Sequence, residues 1–315
     1  MRRVLLLSWI VPLASLLAGP APDDDAKAST LPAPRVDDAT GVRWYRNVHY
    51  VEGEEAHPTK HRLDLLLPAE DKWRQGRPML IWIHGGGWTF GDKDDVFGLY
   101  TRYCRILAEN GVATANVSYR LSPQFKHPAH IEDVASATAW VIKHAQELGF
   151  DAKAVFVSGH SAGGHLAALL ATDHRWLEGH GLRRGSIAGA LPSSGVFDLR
   201  PLVDGNTRWL RAFAEEDVAD ASPISHADAQ DPPFVFFIEG EGLFMQRQTR
   251  KMADAVRQAG VEAKVVDLPG VNHITMLVDL RERAGKHVTA TLEFIDGVIQ
   301  TAEKDLREST TESPT

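Results

Sequence analysis

The chain has 315 residues, 43% of them hydrophobic and 24% charged, with a formal net charge of -8. That length and balance suit a globular protein with one large core, and the negative charge disfavours nucleic acid or an anionic membrane surface as a partner. The single cysteine, Cys104, excludes an intrachain disulfide, and it stands too far from the N-terminus to be a lipid-modified residue at a leader's cleavage point.

At the N-terminus, Arg2 and Arg3 precede an apolar run from Val4 to Ala18 that is short for a membrane span. The pattern predicts an export signal over residues 1–21, with its cleavage point left open. Residues 22–38, rich in Pro, Ala and Asp, read as a linker, 39–300 as one domain, and 301–315 as a flexible polar tail.

Within the domain, short apolar strands alternate with longer helical patterns. Residues 43–51 and 62–67 read as an opening hairpin, 79–83 as a buried strand, and 99–110 as a helix stopped by Gly111. Cys104 falls inside that helix and reads as a buried structural thiol. Further strands are expected at 112–118, 154–157, 186–191, 234–238 and 263–266, and helices at 130–146, 246–259 and 286–299. Such alternation predicts an α/β fold with a mostly parallel central sheet, helices on both faces and an antiparallel edge from the hairpin. Residues 199–231, with Trp209, Phe213 and Ser222-Pro223, interrupt the alternation and read either as a lid or as a surface excursion.

Two glycine motifs carry the chemistry. Gly159-His160-Ser161-Ala162-Gly163 stands between a predicted strand and a small-residue helix, the context in which Gly-x-Ser-x-Gly makes a nucleophile elbow. His84-Gly85-Gly86-Gly87-Trp88 follows the strand at 79–83, and its backbone N–H groups, unobstructed by side chains, suit an oxyanion hole that the Ala162 amide would complete. A serine nucleophile needs a base, and the base needs an orienting acid, in the chain order Ser, acid, His. Of fourteen histidines, His273 fits best, on a loop after the strand at 263–266, whereas His287 reads as a surface residue of a helix. For the acid, no aspartate follows the strand at 234–238. Glu241 is the first candidate, Glu239 the second and Asp267 the third, a glutamate needing a slightly retracted backbone for its longer arm.

Other polar residues read more simply. His160 and His165 have the wrong spacing for a zinc pair, Asp198 braces a loop, and Asp133 braces a helix start. Trp88 and Phe90 suit either an acyl pocket or the core. No metal or organic cofactor is expected.

With these residues in view, the chain resembles α/β-hydrolase serine esterases and lipases with a His-Gly-Gly-Gly-Trp oxyanion loop. It is similar both to hormone-sensitive-lipase-like esterases and to the arylformamidase branch. The resemblance runs from His61-Arg62-Leu63-Asp64 to the last helix. It includes Ser118-Tyr119-Arg120-Leu121-Ser122-Pro123, His127-Pro128-Ala129, Asp133 and the run from Ser194 to Leu202, which is closest to the formamidase branch. The resemblance implies Ser161 as nucleophile, His273 as base, and the amides of Gly86, Gly87 and Ala162 as oxyanion donors, with Gly85 replacing one of them in a shorter description of the loop. The family acid is usually an aspartate, from which this chain departs. The expected function is hydrolysis of a small-molecule carboxylic ester by an exported enzyme, without nucleic acid or a stable membrane partner. The alternatives are an N-formyl arylamine hydrolase and a hydrolase-fold binding protein without catalysis. Oligomeric state is left open.

Overall fold

The computed structural model describes residues 31–311 other than 71, 74, 75, 96 and 204–210. The expected leader at 1–21 lies outside the described residues, as do most of the expected linker and residue 209 of the 199–231 segment.

Nine strands form one sheet in the order β1-β2-β3-β5-β4-β6-β7-β8-β9. They are β1 (Arg35–Val36), β2 (Arg43–His49), β3 (Arg62–Leu67), β4 (Met79–Ile83), β5 (Ala113–Val117), β6 (Val155–His160), β7 (Gly189–Ser193), β8 (Phe234–Glu239) and β9 (Ala263–Leu268). The helices are α1 (Leu99–Glu109), α2 (Ala129–Lys143), α3 (Ala145–Leu148), α4 (Ala162–Thr172), α5 (Arg175–Glu178), α6 (Arg200–Val203), α7 (Leu243–Gln258), α8 (Met276–Asp279) and α9 (Lys286–Thr311).

From β5 to β9 all neighbours are parallel, while β1, β2 and β3 join antiparallel at one edge. The apolar runs Met79–Ile83 and Phe234–Glu239 are buried along their whole length, as expected of parallel strands covered on both faces. Helices α1 and α9 pack together, and α2 packs on α4. Cys104 is buried in α1 beside Trp82 and Tyr103, as its helical setting predicts.

Three boundaries differ from the sequence reading. Arg35–Val36, inside the expected linker, pair with Trp44 and Arg43 as a short edge strand. The expected tail is helical to Thr311, as a continuation of α9. The strand expected at 186–191 lies at Gly189–Ser193, because its ladder to β6 begins at Phe156 opposite Gly189. Of the interrupting segment, Ala212, Phe213, Val218 and Ala221 are buried, and the Phe213 ring lies 4.9 Å from that of Trp88. This part packs into the fold and is not a surface excursion.

Parallel order brings the C-terminal ends of β4, β6, β8 and β9 to one edge of the sheet, where open α/β sheets form their crevices. The glycine loop, Ser161, Glu239 and His273 all stand on that edge.

Candidate active site

Ser161 stands between β6 and α4 with φ 56° and ψ -117°, a left-handed backbone that a non-glycine residue adopts only under constraint. The constraint is visible on both sides. The Ser161 amide donates to the Ser193 carbonyl at 2.9 Å, and the Ser161 carbonyl accepts from the His165 amide at 2.9 Å. The flanking glycines permit the turn. A Cβ on Gly163 would lie 2.0 Å from the Ile83 carbonyl oxygen, and one on Gly159 would lie 2.6 Å from the same atom. Strand, helix and glycine loop therefore touch backbone to backbone.

The glycine loop abuts the serine turn. A Cβ on Gly85 would come 2.8 Å from the His160 carbonyl and 3.4 Å from Ser161 Cβ. Gly86 has φ 117° and Gly87 φ 56°, and the Gly86 carbonyl accepts from the amides of Thr89 and Phe90. His84 stacks on Tyr119 at 4.3 Å, and the Tyr119 hydroxyl donates to the His84 carbonyl at 3.1 Å. Burial pushes the His84 imidazole down to about 4, so its ring is a neutral packing element. Ala162 opens α4, and the first amides of a helix have no intrahelical partner. Trp88 is buried against Phe213 and His165, while Phe90 is exposed.

His273 comes to the serine from the loop after β9. Its Nε2 lies 3.0 Å from Ser161 Oγ and its Nδ1 3.3 Å from Glu239 Oε1. The carboxylate that the structure brings to the imidazole is thus Glu239, not Glu241. Glu239 is the last residue of β8, opposite Leu268 in the ladder, and its side chain is buried. Glu241 lies in the following turn with its side chain exposed, and its amide donates to the Val271 carbonyl. Asp267 is exposed and pairs with Arg250 at 2.7 Å. A retracted backbone was the requirement for glutamate, and the retraction amounts to two residues. On Glu239, burial alone would raise the carboxyl pKa, but hydrogen bonds from His273 and Ser194 outweigh it and hold the group below its ordinary value.

Two supporting residues escaped the sequence reading. Ser194, with φ 45°, donates its hydroxyl to Glu239 Oε2. Gln246 donates to the Glu239 and Gly240 carbonyls at 3.2 and 2.9 Å, fixing the turn after the strand. His287 is also misread from sequence. It is buried, stacked on Phe237 at 3.7 Å, with Nε2 2.8 Å from Ser193 Oγ.

Asp198 braces its loop as read, whereas Asp133 lies inside α2, whose N-cap is Pro128 without a side-chain cap, and ties other segments to the helix instead of bracing its start. Asp133 accepts from Arg120 and His61, and Asp198 is bound by Arg200 and Lys251. Among the described residues, one group has metal-ligand spacing, His174, Asp228 and Asp231, with Arg184 already 2.9 Å from Asp228. None of the three belongs to the Ser161 cluster.

Placed side by side, the imidazole can accept the Ser161 proton at Nε2 while the carboxylate fixes the opposite tautomer at Nδ1. Comparison with known proteins agrees in fold. Esterase B from Lactobacillus rhamnosis superposes with a TM-score of 0.71 at 22% identity, over 87% of this chain and 90% of that one. A hyperthermophilic esterase from Pyrobaculum calidifontis gives 0.60 at 26% identity, over 76% and 81%. The fold is that of the α/β-hydrolases. Among curated proteins, the probable carboxylic ester hydrolase LipM of Mycobacterium tuberculosis is 34% identical over 242 residues, 71% of this chain and 55% of the relative. Ethyl acetate hydrolase of Pseudomonas putida is 30% identical over 225 residues, 66% of this chain and 69% of the relative. The chain spans about half the length of LipM and of Esterase LipQ, another relative from Mycobacterium tuberculosis. The BD-FAE family model matches residues 63–242, from β3 through the glycine loop and Ser161 to the turn beyond Glu239, and over that stretch, more than half its length, this chain belongs to the BD-FAE family.

Proposed function

We propose that the chain is a serine hydrolase of small-molecule carboxylic esters that works through an acyl-enzyme. The observation that carries the reading is the continuous line Ser161 Oγ, His273 Nε2, His273 Nδ1, Glu239 Oε1, with separations of 3.0 and 3.3 Å. The names of LipM and of ethyl acetate hydrolase support the ester class.

In this mechanism Ser161 Oγ attacks the ester carbonyl as His273 Nε2 takes its proton. Amides of Gly86, Gly87 and Ala162 hold the oxygen that becomes negative, aided by the N-terminus of α4. His273 returns the proton to the departing alcohol, and water, deprotonated by the same imidazole, then releases the acid. Glu239 stays ionised and stabilises the imidazolium. The residues present complete this cycle with no added group.

A binding protein without catalysis would find its support in the missing aspartate, and the Glu239 carboxylate beside His273 favours the enzyme over it. The formamidase reading shares all the machinery and rests on the run from Ser194 to Leu202. We further propose export, on the strength of Arg2, Arg3 and the apolar run after them.

Ser161→Ala tests the reading. Turnover of p-nitrophenyl butyrate and labelling by a fluorophosphonate should both vanish while the melting temperature is kept. Retained turnover overturns it. Parallel assays on an N-formyl arylamine and an acetyl ester decide between amide and ester.

A further inference from the structure

We infer that His160 is a positioning residue, whose Nε2–H holds the His273 backbone and thereby sets the imidazole against Ser161. The inference rests on the roles given above to Ser161 and His273.

His160 is the last residue of β6, directly before the serine, and it is buried. Its Nε2 lies 2.9 Å from the His273 carbonyl oxygen, and the two rings lie 4.6 Å apart. A carbonyl only accepts, so the imidazole proton is on His160 Nε2. The unprotonated Nδ1 faces the glycine loop, 3.1 Å from where a Cβ on Gly85 would stand. One side chain, at the end of the nucleophile's own strand, therefore meets both the base's backbone and the oxyanion loop.

The loop bearing His273 needs such an anchor. Asn272 Oδ1 accepts from the Ile274 and Thr275 amides, and Thr275 Oγ1 accepts from the Asn272 amide. These bonds fold the loop on itself without locating it relative to β6. From the β8 side, the Gly240 and Glu241 amides donate to the carbonyls of Leu268 and Val271. Among the described residues, the hydrogen bond from β6 to the His273 backbone is that of His160.

Charge fits the role. The titratable groups that act on the ring are His273 itself and His287 on α9, with Glu239 on β8 facing His273. Burial, with the nearby His273 adding to it, pushes His160 down to about 3. The ring stays neutral and its donor stays in place when His273 becomes cationic. Catalytic groups shifted by about 1 Å lose on the order of 10²-fold in rate, so an anchor on this loop has a measurable effect.

The test compares His160→Leu, which keeps bulk without a donor, with His160→Gln, whose amide nitrogen reaches the Nε2 position. Two quantities are read: kcat and KM on p-nitrophenyl butyrate, and amide hydrogen exchange over residues 269–275 without substrate. For leucine, the expected result is a fall in kcat of about 10- to 100-fold, a KM close to wild type and faster exchange in that loop. For glutamine, most of the rate and the slow exchange should return. Equal behaviour of the two variants, or wild-type kcat and exchange in His160→Leu, overturns the inference. Should leucine prevent folding, His160→Asn, whose amide stops at the Nδ1 position, takes its place. The exchange readout needs no turnover. An inactive wild type would sink the esterase reading while the donor-dependent exchange still decides the role of His160.

Discussion

Ser194 occupies one oxygen of Glu239 and leaves the other to His273. The serine hydroxyl donates to Oε2, and His273 Nδ1 lies 3.3 Å from Oε1. Ser194 does this from a left-handed backbone, φ 45°, held by the hydrogen bond its amide donates to the Phe237 carbonyl. A strained residue gripping a buried carboxylate is the form expected where orientation matters more than local comfort. Replacing Glu239 by Gln keeps the shape but offers an amide N–H where the imidazole needs an acceptor. By analogy with the corresponding change in serine proteases, kcat for Glu239→Gln should fall by about 10³- to 10⁴-fold. The exposed Glu241→Gln should stay within about twofold of wild type, as surface substitutions do. Steady-state kinetics on one ester checks both, and the reverse ranking would reinstate Glu241.

The buried parallel strands were legible because burial on both faces writes itself as an unbroken apolar run. Residues 79–83 fall where the pattern put them, and so does the antiparallel strand 62–67, which is buried from Leu63 onward. Ser161 and His273 were legible because glycine spacing and chain order are local facts. Glu239 ranks only second from sequence, because its partners Ser194 and His273 lie 45 and 34 positions away and meet it only through sheet register. Its one local signal was a carboxylate ending the run Phe234-Val235-Phe236-Phe237-Ile238 with no turn residue before it. His287 failed for the same reason. Its place on a polar helix suggests solvent, whereas Phe237 and Ser193 bury it from across the sheet.

Two glycine-to-alanine changes should have opposite signs. At Gly163 the new methyl would stand 2.0 Å from the Ile83 carbonyl, where only backbone could yield. Overpacking of about 1–3 kcal/mol would lower the melting temperature by several degrees, about 2–4 °C for each kcal/mol. Activity should fall with it, because the same contact sets the serine turn against the glycine loop. At Gly297, exposed within α9, nothing lies within 4 Å of the added methyl. Helix propensity there favours alanine by about 0.5–1 kcal/mol, a rise of about 1–4 °C. Calorimetry on both variants checks the contrast, and an equal response would mean that the Gly163 contact yields without cost.

Exposed apolar residues sit on the segments next to the site, two on loops and two at the start of α7. Phe90 follows the glycine loop, Leu243 and Phe244 follow Glu239, and Ile274 adjoins His273; their exposures are 57, 69, 44 and 66%. If these side chains meet the apolar part of an ester, removing one should matter more as the acyl chain lengthens. One methylene in an apolar pocket is worth about 1–3 kcal/mol, or about 10- to 200-fold, when fully enclosed, and less on an open rim. Ile274→Ala should therefore lower kcat/KM on p-nitrophenyl hexanoate about 3- to 10-fold and leave the acetate nearly unchanged. A loss independent of chain length would point instead to displacement of the His273 loop.

Acid should unfold this protein through its histidines. Burial pushes His84 and His130 down to about 4, and His160, His165 and His287 to about 3. In the unfolded chain each returns to its ordinary value of about 6.5. Between the two values the unfolded state binds more protons, so stability rises with pH and is lost as pH falls below about 6.5. Each group contributes about 1.4 kcal/mol per pH unit well inside that window. Five acting together at pH 5 would remove on the order of 10 kcal/mol, comparable with the whole stability of a domain. Carboxylates such as Asp198, held down to about 2, add their loss only at lower pH. Thermal melts from pH 8 to pH 4.5 should thus show a nearly level melting temperature above pH 7 and a steep fall below pH 6. A level profile down to pH 4.5 would mean that these rings take up protons in the native state and are not held neutral by burial.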